Sequence, residues 1–473
     1  MKLAFIIQRY GTEVLGGSEH LCRLIAERLS ATHDVDVLTT CAQDYVTWKN
    51  EYPEGADRVR GVTVRRFANA RTRDIDAFDK YSEWIYDNPH SRNDEMEWLK
   101  QQGPWCPALI EYLRKHQQQY DVLIFFTYLY APTVLGLEVA PSRSVLVSTA
   151  HDEPAIRLEI FKDVFRRPAA LCCLTESERE FVHQQFPERP LLEDVIGVGI
   201  EIPPSQPYPR MPAVVEEDST AEGGRSPDAS RADDASRSDD ASRPDDASRP
   251  DDASRPNDAS RPDDASRPER GASGDEDATA RAYPSHLLAR GSVFRRRHRL
   301  YGPIVLYGGR IDPGKGCEEL IQYFSEYVKE GGDATLALMG VKLMSLPEEP
   351  FIRFAGLLSD RERLQALEAA TVVVCPSPYE SLSLLALESL AVGTPILANA
   401  RSAVLVEHCV RSNGGLYYAD RDEFVEALKL LVGDERLRAA LGRNGRDYVR
   451  RNYRWDVVLG KYERIFAKIR NAR

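Results

Sequence analysis

The stretch "TVVVCPSPYESLSLLALESLAVGTPILAN", residues 371–399, decides the fold. Its first five residues, four of them β-branched, run without a charge or a turn former, as in a strand buried on both faces. Pro376 and Pro378 then hold the chain out of the helical region, which places Glu380 in a loop. Leu384–Val392 reads as a helix that Gly393 ends and Pro395 does not extend. "PILA" is the next strand. Glu388 therefore lies inside the helix, while Glu380 precedes it. On one unbroken helix their spacing would leave the two carboxylates roughly 80° apart, too far round to share a ligand.

Strand, loop, helix and strand in succession imply a parallel sheet, whose ligands bind at the carboxyl ends of the strands against helix N-termini. That geometry predicts an anion site flanked by two carboxylates able to accept from hydroxyl groups. A sugar nucleotide has this chemistry.

The same grammar runs along the chain. In the first half "KLAFII", "DVDVLTT", "VTVRRF", "DVLIFF", "SVLVSTA", "ALCCLT" and "EDVIGVG" read as strands, with helices at "SEHLCRLIAERLSA" and Glu176–Gln185. In the second half "PIVLYGG", "ATLALMG", "FIRFAG", "TVVVCP" and "PILAN" alternate with helical patterns. The fold class predicted is α/β, with two Rossmann-like parallel-sheet domains facing a cleft. Residues 1–210 are expected to form the first domain and residues 288–473 the second, which ends in terminal helices. Between them, residues 211–287 carry a "DDASRP" repeat that has no apolar face to bury, and are read as a disordered, solvated tether.

The formal charge of −12 is concentrated in that tether, where residues 211–290 hold 20 acidic against 11 basic side chains. The remainder is close to neutral, so no nucleic-acid partner is expected. Eight cysteines without a C-x-x-C pair or a histidine-containing ligand cluster read as reduced core thiols. Five apolar residues before Gln8 are too few for the core of a signal peptide. The longest uncharged run, between Asp121 and Glu138, contains Pro132 and Gly136 and falls short of a membrane span. A cytoplasmic address is expected.

Candidate site residues gather at strand ends. "YGGRIDPGKGCEELIQYF" places Arg310 and Lys315 in a loop that opens a helix at Cys317, a setting for a diphosphate. "VLGGSEHLCRL" puts Gly16 and Gly17 before a helix with Ser18 as the expected N-cap, and "VSTAHDEPA" leaves His151, Asp152 and Glu153 at the cleft edge. Asp74 to Asp76 and Asp275 to Asp277 are D-x-D tripeptides in a charged loop and in the tether, and neither is assigned to a metal. Arg58, Arg60, Arg65, Arg66, Arg71 and Arg73 cluster in sequence, with two readings: attraction to anionic lipid at the inner membrane face or a phosphorylated acceptor, or the solvated face of a strand. Residues 79–105, rich in aromatic and charged side chains, are a candidate acceptor wall.

Taken in order, "GGSEHLCRLIAERL", the "HD" loop, "VIGVGIE", "GRIDPGKG" and the E-x7-E stretch resemble glycosyltransferase family 4, retaining enzymes of the GT-B fold. The chain departs from the usual pattern where Leu382 and Ser383 replace a common Phe-Gly pair. The resemblance implies that Arg310 and Lys315 hold the donor diphosphate and that Glu388 holds the ribose. The helix start at Ser383, Leu384 and Leu385 would add backbone N–H groups to the phosphates. Glu380 would face the transferred sugar with His151 across the cleft, and Gly16 and Gly17 would close over the phosphates. No metal and no cofactor are implied, the nucleotide-sugar being a co-substrate; the acceptor would be a glycan, a lipid or a small molecule. Two other classes fit the same architecture: a sugar-nucleotide epimerase or phosphorylase, and a catalytically silent sugar-nucleotide-binding module.

Overall fold

Uninterrupted apolar runs such as "VLIFF" and "VVVC" bury every side chain, and they form the centres of two sheets. The computed structural model describes residues 1–14, 16–202 and 290–472; the repeat segment read as a tether lies outside the described residues. The first sheet contains β1 (Lys2–Ile6), β2 (Asp34–Thr40), β3 (Gly55–Val59), β4 (Val62–Phe67), β5 (Val122–Phe126), β6 (Ser144–Val147), β7 (Ala170–Cys173) and β8 (Glu193–Val195). Their order is β3-β4-β2-β1-β5-β6-β7-β8. The second contains β9 (Ile304–Gly308), β10 (Thr335–Met339), β11 (Ile352–Gly356), β12 (Val372–Cys375), β13 (Ile396–Asn399) and β14 (Gly415–Tyr418), ordered β11-β10-β9-β12-β13-β14.

All pairings are parallel except β3 with β4, which form a hairpin through Arg60 and Gly61, both at positive φ. This antiparallel edge adds one strand, β3, to the parallel sheet expected. Two corrections are local. The strand read in "EDVIGVG" ends at Val195. The helix Gly17–Leu29 is capped by Gly16, whose carbonyl accepts from His20 N–H at 3.0 Å, and not by Ser18. The Ser18 hydroxyl is occupied instead with the Glu19 carboxylate at 3.0 Å.

In each sheet the strand order reverses beside the first strand, between β1 and β5 and between β9 and β12. The described residues of both halves form one compact unit. The last helix, Trp455–Asn471, returns to the first half: Val458, Tyr462 and Phe466 share a core cluster with Leu21, Ile25 and Leu29. Arg28 stacks over Trp455 at 3.6 Å, and Lys461 donates to the Val195 carbonyl at 2.6 Å. Glu407 adds a second tie, accepting from the Ser177 N–H at 2.7 Å at the start of the helix Glu176–Gln185. All eight cysteines are buried and unpaired, as the sequence predicts. Among the described residues no helix is long and apolar enough to cross a membrane.

The loops after β9 and β10 run side by side, with Gly309 N–H bonded to the Met339 carbonyl at 3.0 Å and Ile311 N–H to the Val341 carbonyl at 2.8 Å. Gly340, at φ +127°, lies against the Gly309 carbonyl oxygen, and a Cβ there would overlap it. Gly340→Ala is expected to destabilise the protein by more than about 1 kcal/mol, because both the backbone conformation and the contact exclude a side chain. Thermal unfolding measures this, and an unchanged midpoint contradicts it.

Candidate functional site

Reversal of strand order opens a crevice at the carboxyl edge of a parallel sheet. Here one cavity of about 290 Å³ is lined from both reversal points. Gly17 and Ser18 come from the segment after β1, and Thr127 to Tyr130 follow β5. Thr149, His151 and Glu153 follow β6, Lys315 follows β9, and Tyr379 to Leu384 follow β12.

The cavity's charged centre is an ion pair. Lys315 donates to Glu380 at 2.8 Å and lies 3.4 Å from the Ser377 hydroxyl. Lys315 is held in a 3-10 turn, Pro313–Lys315, whose Asp312 carboxylate accepts from the Lys315 N–H at 2.9 Å. The helix Cys317–Lys329 follows directly. At the other wall Tyr128 donates to Glu153, and Glu153 stands 3.6 Å from His151 Nε2. Burial opposes charge on His151, yet the Glu153 carboxylate raises its pKa. Burial likewise raises Glu153, but His151 and Tyr128 bring it below the usual carboxylate value. The His151 ring faces Tyr379 with centroids 6.2 Å apart.

Beneath His151, the buried Glu178 fastens the ends of two strands, β6 and β7. It accepts from Ser148 Oγ, Ala150 N–H and Leu174 N–H, each at 2.6 Å. Burial pushes its pKa up to about 7 against the opposing pull of these donors.

Three cavity-lining residues other than glycine have positive φ: Thr127 at 62°, Thr149 at 50° and Ser383 at 61°. For β-branched threonine this is a strained backbone, and such strain collects at functional sites. Ser383 occupies the left-handed position just before the helix Leu384–Val392. The first backbone bond of that helix runs from Leu387 N–H to the Ser383 carbonyl at 3.2 Å, and no side chain caps the turn before it. Its N–H groups therefore point to the cavity end.

Of the residues singled out in the sequence, Gly17, His151, Lys315, Glu380, Ser383 and Leu384 line this cavity. Gly16, Arg310, Leu385 and Glu388 stand outside its lining. Gly16 packs against the Glu19 carboxylate, which is itself paired with Arg9 at 2.6 Å. Arg310 lies 3.4 Å from Asp312 and stacks against Tyr45 of the first half at 5.3 Å. Leu385 packs into the core, and Glu388 pairs with Arg363 at 2.8 Å. Sequence reasoning passed over Tyr128, Thr149 and Tyr379; only the placement of each directly after a strand could have flagged them.

The arginine cluster disperses. Arg66 is buried, 3.5 Å from Asp57 and over the Tyr52 ring, and Arg73 donates to the Val46 carbonyl at 2.8 Å. Arg65 stacks on Tyr112, and Arg71 lies 3.7 Å from Glu97. Asp74 caps the helix Ile75–Asp87 through the Ala77 N–H, a structural use of the first D-x-D tripeptide; the second lies outside the described residues. Within residues 79–105, Tyr86 reaches the neighbourhood of Glu153.

Residues 293–448 match the family model of glycosyl transferases group 1. This group 1 segment holds Arg310, Lys315, Glu380 and Glu388. A GDP-mannose-dependent monoacylated alpha-(1-6)-phosphatidylinositol monomannoside mannosyltransferase of Corynebacterium glutamicum is 25% identical over 172 residues, covering 33% of this chain and 45% of the relative. The chain thus spans about half the length of the curated relatives it matches. Among solved structures, sucrose-phosphate synthase from Thermosynechococcus elongatus superposes with a TM-score of 0.60 at 15% identity, covering 100% of both chains. The Anabaena protein HepE in complex with UDP-glucose gives 0.59 at 14% identity, covering 99% of both. The fold is GT-B.

Replacing Ser383 by glycine removes a left-handed non-glycine residue, and is expected to stabilise the protein by about 1 kcal/mol in thermal unfolding. Glu153→Gln removes the carboxylate that raises His151, so the imidazolium is expected to lose its proton at lower pH than in the wild type. Titration of the His151 ring by NMR measures the shift, and an unchanged midpoint contradicts it.

Proposed function

We propose that the protein is a glycosyltransferase that moves a sugar from a nucleotide-sugar donor to a glycan, lipid or small-molecule acceptor, with retention at the anomeric carbon. The reading rests above all on one observation: Lys315 and Glu380 form a charged pair facing His151 across a cavity at the switch points of both sheets. It gains support from the group 1 segment, and from the UDP-glucose and GDP-mannose named for the similar proteins.

In this reading the donor diphosphate lies against Lys315, Arg310 and the N-terminus of the helix Leu384–Val392. Cleavage of the donor leaves negative charge on that diphosphate, and fixed cations with backbone N–H groups stabilise it without reorganisation. Glu388 accepts from the ribose hydroxyls, while Glu380 and His151 orient the transferred sugar. Gly17 allows close approach of the backbone from the first half. Residues 1–210 supply the acceptor side. The buried, unpaired thiols fit a reducing, cytoplasmic compartment, with the inner membrane face as the place where a lipid acceptor would be met.

A panel of UDP- and GDP-sugars with released nucleotide as the readout tests the proposal; no turnover of any donor, with or without added acceptors, counts against it. With a working donor, Lys315→Ala and Arg310→Ala are each expected to cost on the order of 2 to 4 kcal/mol of transition-state stabilisation. Glu388→Gln is expected mainly to raise KM, and Glu380→Gln mainly to lower kcat. The first contact is made equally before and during reaction, whereas the second strengthens as charge develops on the sugar. The reverse pattern would exchange the two roles.

A further inference from the structure

Glu388 occupies an uncomfortable position for a carboxylate that must stay ionised. Its side chain is 12% exposed, and burial pushes its pKa above the ordinary carboxylate value. The one cation beside it among the described residues is Arg363, on the helix Asp360–Ala369, whose Nη2 stands 2.8 Å from Glu388 Oε1. The same nitrogen lies 3.5 Å from Asp360. Arg363 opposes the rise in the Glu388 pKa, and Asp360 adds to it.

The other charged groups near this pair leave that task to Arg363. From the helix Gly17–Leu29, His20 faces Arg363 and Asp360; burial and the neighbouring arginines push it down to about 4, so it is neutral at neutral pH. Arg23 is turned toward Glu27 at 2.9 Å and toward His20 at 3.1 Å. On the helix Glu435–Asn452, Arg446 reaches the Val392 carbonyl at the far end of the Glu388 helix.

We propose that Arg363 is a positioning residue for the donor: its guanidinium holds the Glu388 carboxylate, ionised and in one orientation, for the ribose hydroxyls of the nucleotide. The inference rests on the reading of Glu388 as the ribose acceptor. A carboxylate accepts from two hydroxyls more strongly than a carboxylic acid, which would spend one oxygen on its own proton. Arg363 can keep one Glu388 oxygen paired while the carboxylate's remaining lone pairs face the ligand. A neutral side chain at position 363 would leave a buried carboxylate without its counter-ion, and it would take up a proton as the pH falls.

The test is calorimetric titration of UDP and of GDP into the full-length protein from about pH 8 to about pH 6. The terminal phosphate of the nucleotide takes up a proton toward the acid end in every case, so the wild-type profile is the reference. Arg363→Met is expected to bind nearly as well as the wild type at the alkaline end and to fall about tenfold below it toward the acid end. Arg363→Lys, which restores the charge, is expected to recover the wild-type profile. If Arg363→Met does not fold, Arg363→Gln makes the same comparison with a polar side chain that is also neutral. Glu388→Gln has nothing to titrate at this position, so it is expected to bind weakly at every pH.

A neutral Arg363 variant that tracks the wild type throughout, while Glu388→Gln is weakened, overturns the role of Arg363 and leaves the ribose assignment standing. Glu388→Gln binding as tightly as the wild type, or a wild type that binds neither nucleotide, overturns the ribose assignment and this inference with it.

Discussion

A parallel strand can be reached only by a crossover, so successive connections from strand to helix all emerge at the same edge of the sheet. The rest of this structure depends on that constraint. Among the described residues the β3–β4 hairpin is the one antiparallel pairing, and the charged cavity is lined mainly by segments that leave the carboxyl edges of the two sheets. Reversal of strand order at β1/β5 and β9/β12 parts the crossovers there and leaves room for a ligand. Residues as distant in sequence as Gly17, His151 and Glu380 are neighbours because each follows a strand.

Holding these loops still takes buried polar groups. Glu178 satisfies three donors at the ends of β6 and β7 and so fixes the segment that carries His151. Asp312 performs a similar task for Lys315, and the paired Glu19 and Arg9 for the turn before Gly17. Positive φ at Thr127, Thr149 and Ser383 is the local cost of aiming loops into one small volume. Packing in the strands beneath over-determines these conformations: Val122 to Phe126 and Val372 to Cys375 are fully buried.

Charge is distributed in closed pairs. Lys315 with Glu380 and Arg363 with Glu388 each place a cation against a carboxylate in a partly desolvated setting, and His151 stands beside Glu153. A ligand carrying phosphates and hydroxyls can exchange with either member of such a pair without leaving a buried charge uncompensated. Four arginines of the basic cluster offer a contrast: Arg65, Arg66, Arg71 and Arg73 each meet a local carboxylate, carbonyl or ring.

The sequence by itself determined the alternation of strand and helix, the two-domain class and the loops that carry the candidate residues, because β-branched runs, prolines and glycines act locally on the backbone. It also placed Glu380 in a loop and Glu388 in a helix from Pro376, Pro378 and Gly393 alone. It missed the hairpin edge at Arg60 and Gly61, and misassigned the cap at Ser18, whose hydroxyl is taken by a carboxylate one residue away. Only the tertiary structure decided which candidates meet in one cavity, that Glu388 is paired with Arg363, and that the last helix returns to the first half. Local preferences set what each segment becomes; distances between side chains hundreds of residues apart are set by how sheets, crossovers and the final helix pack, which no short stretch encodes.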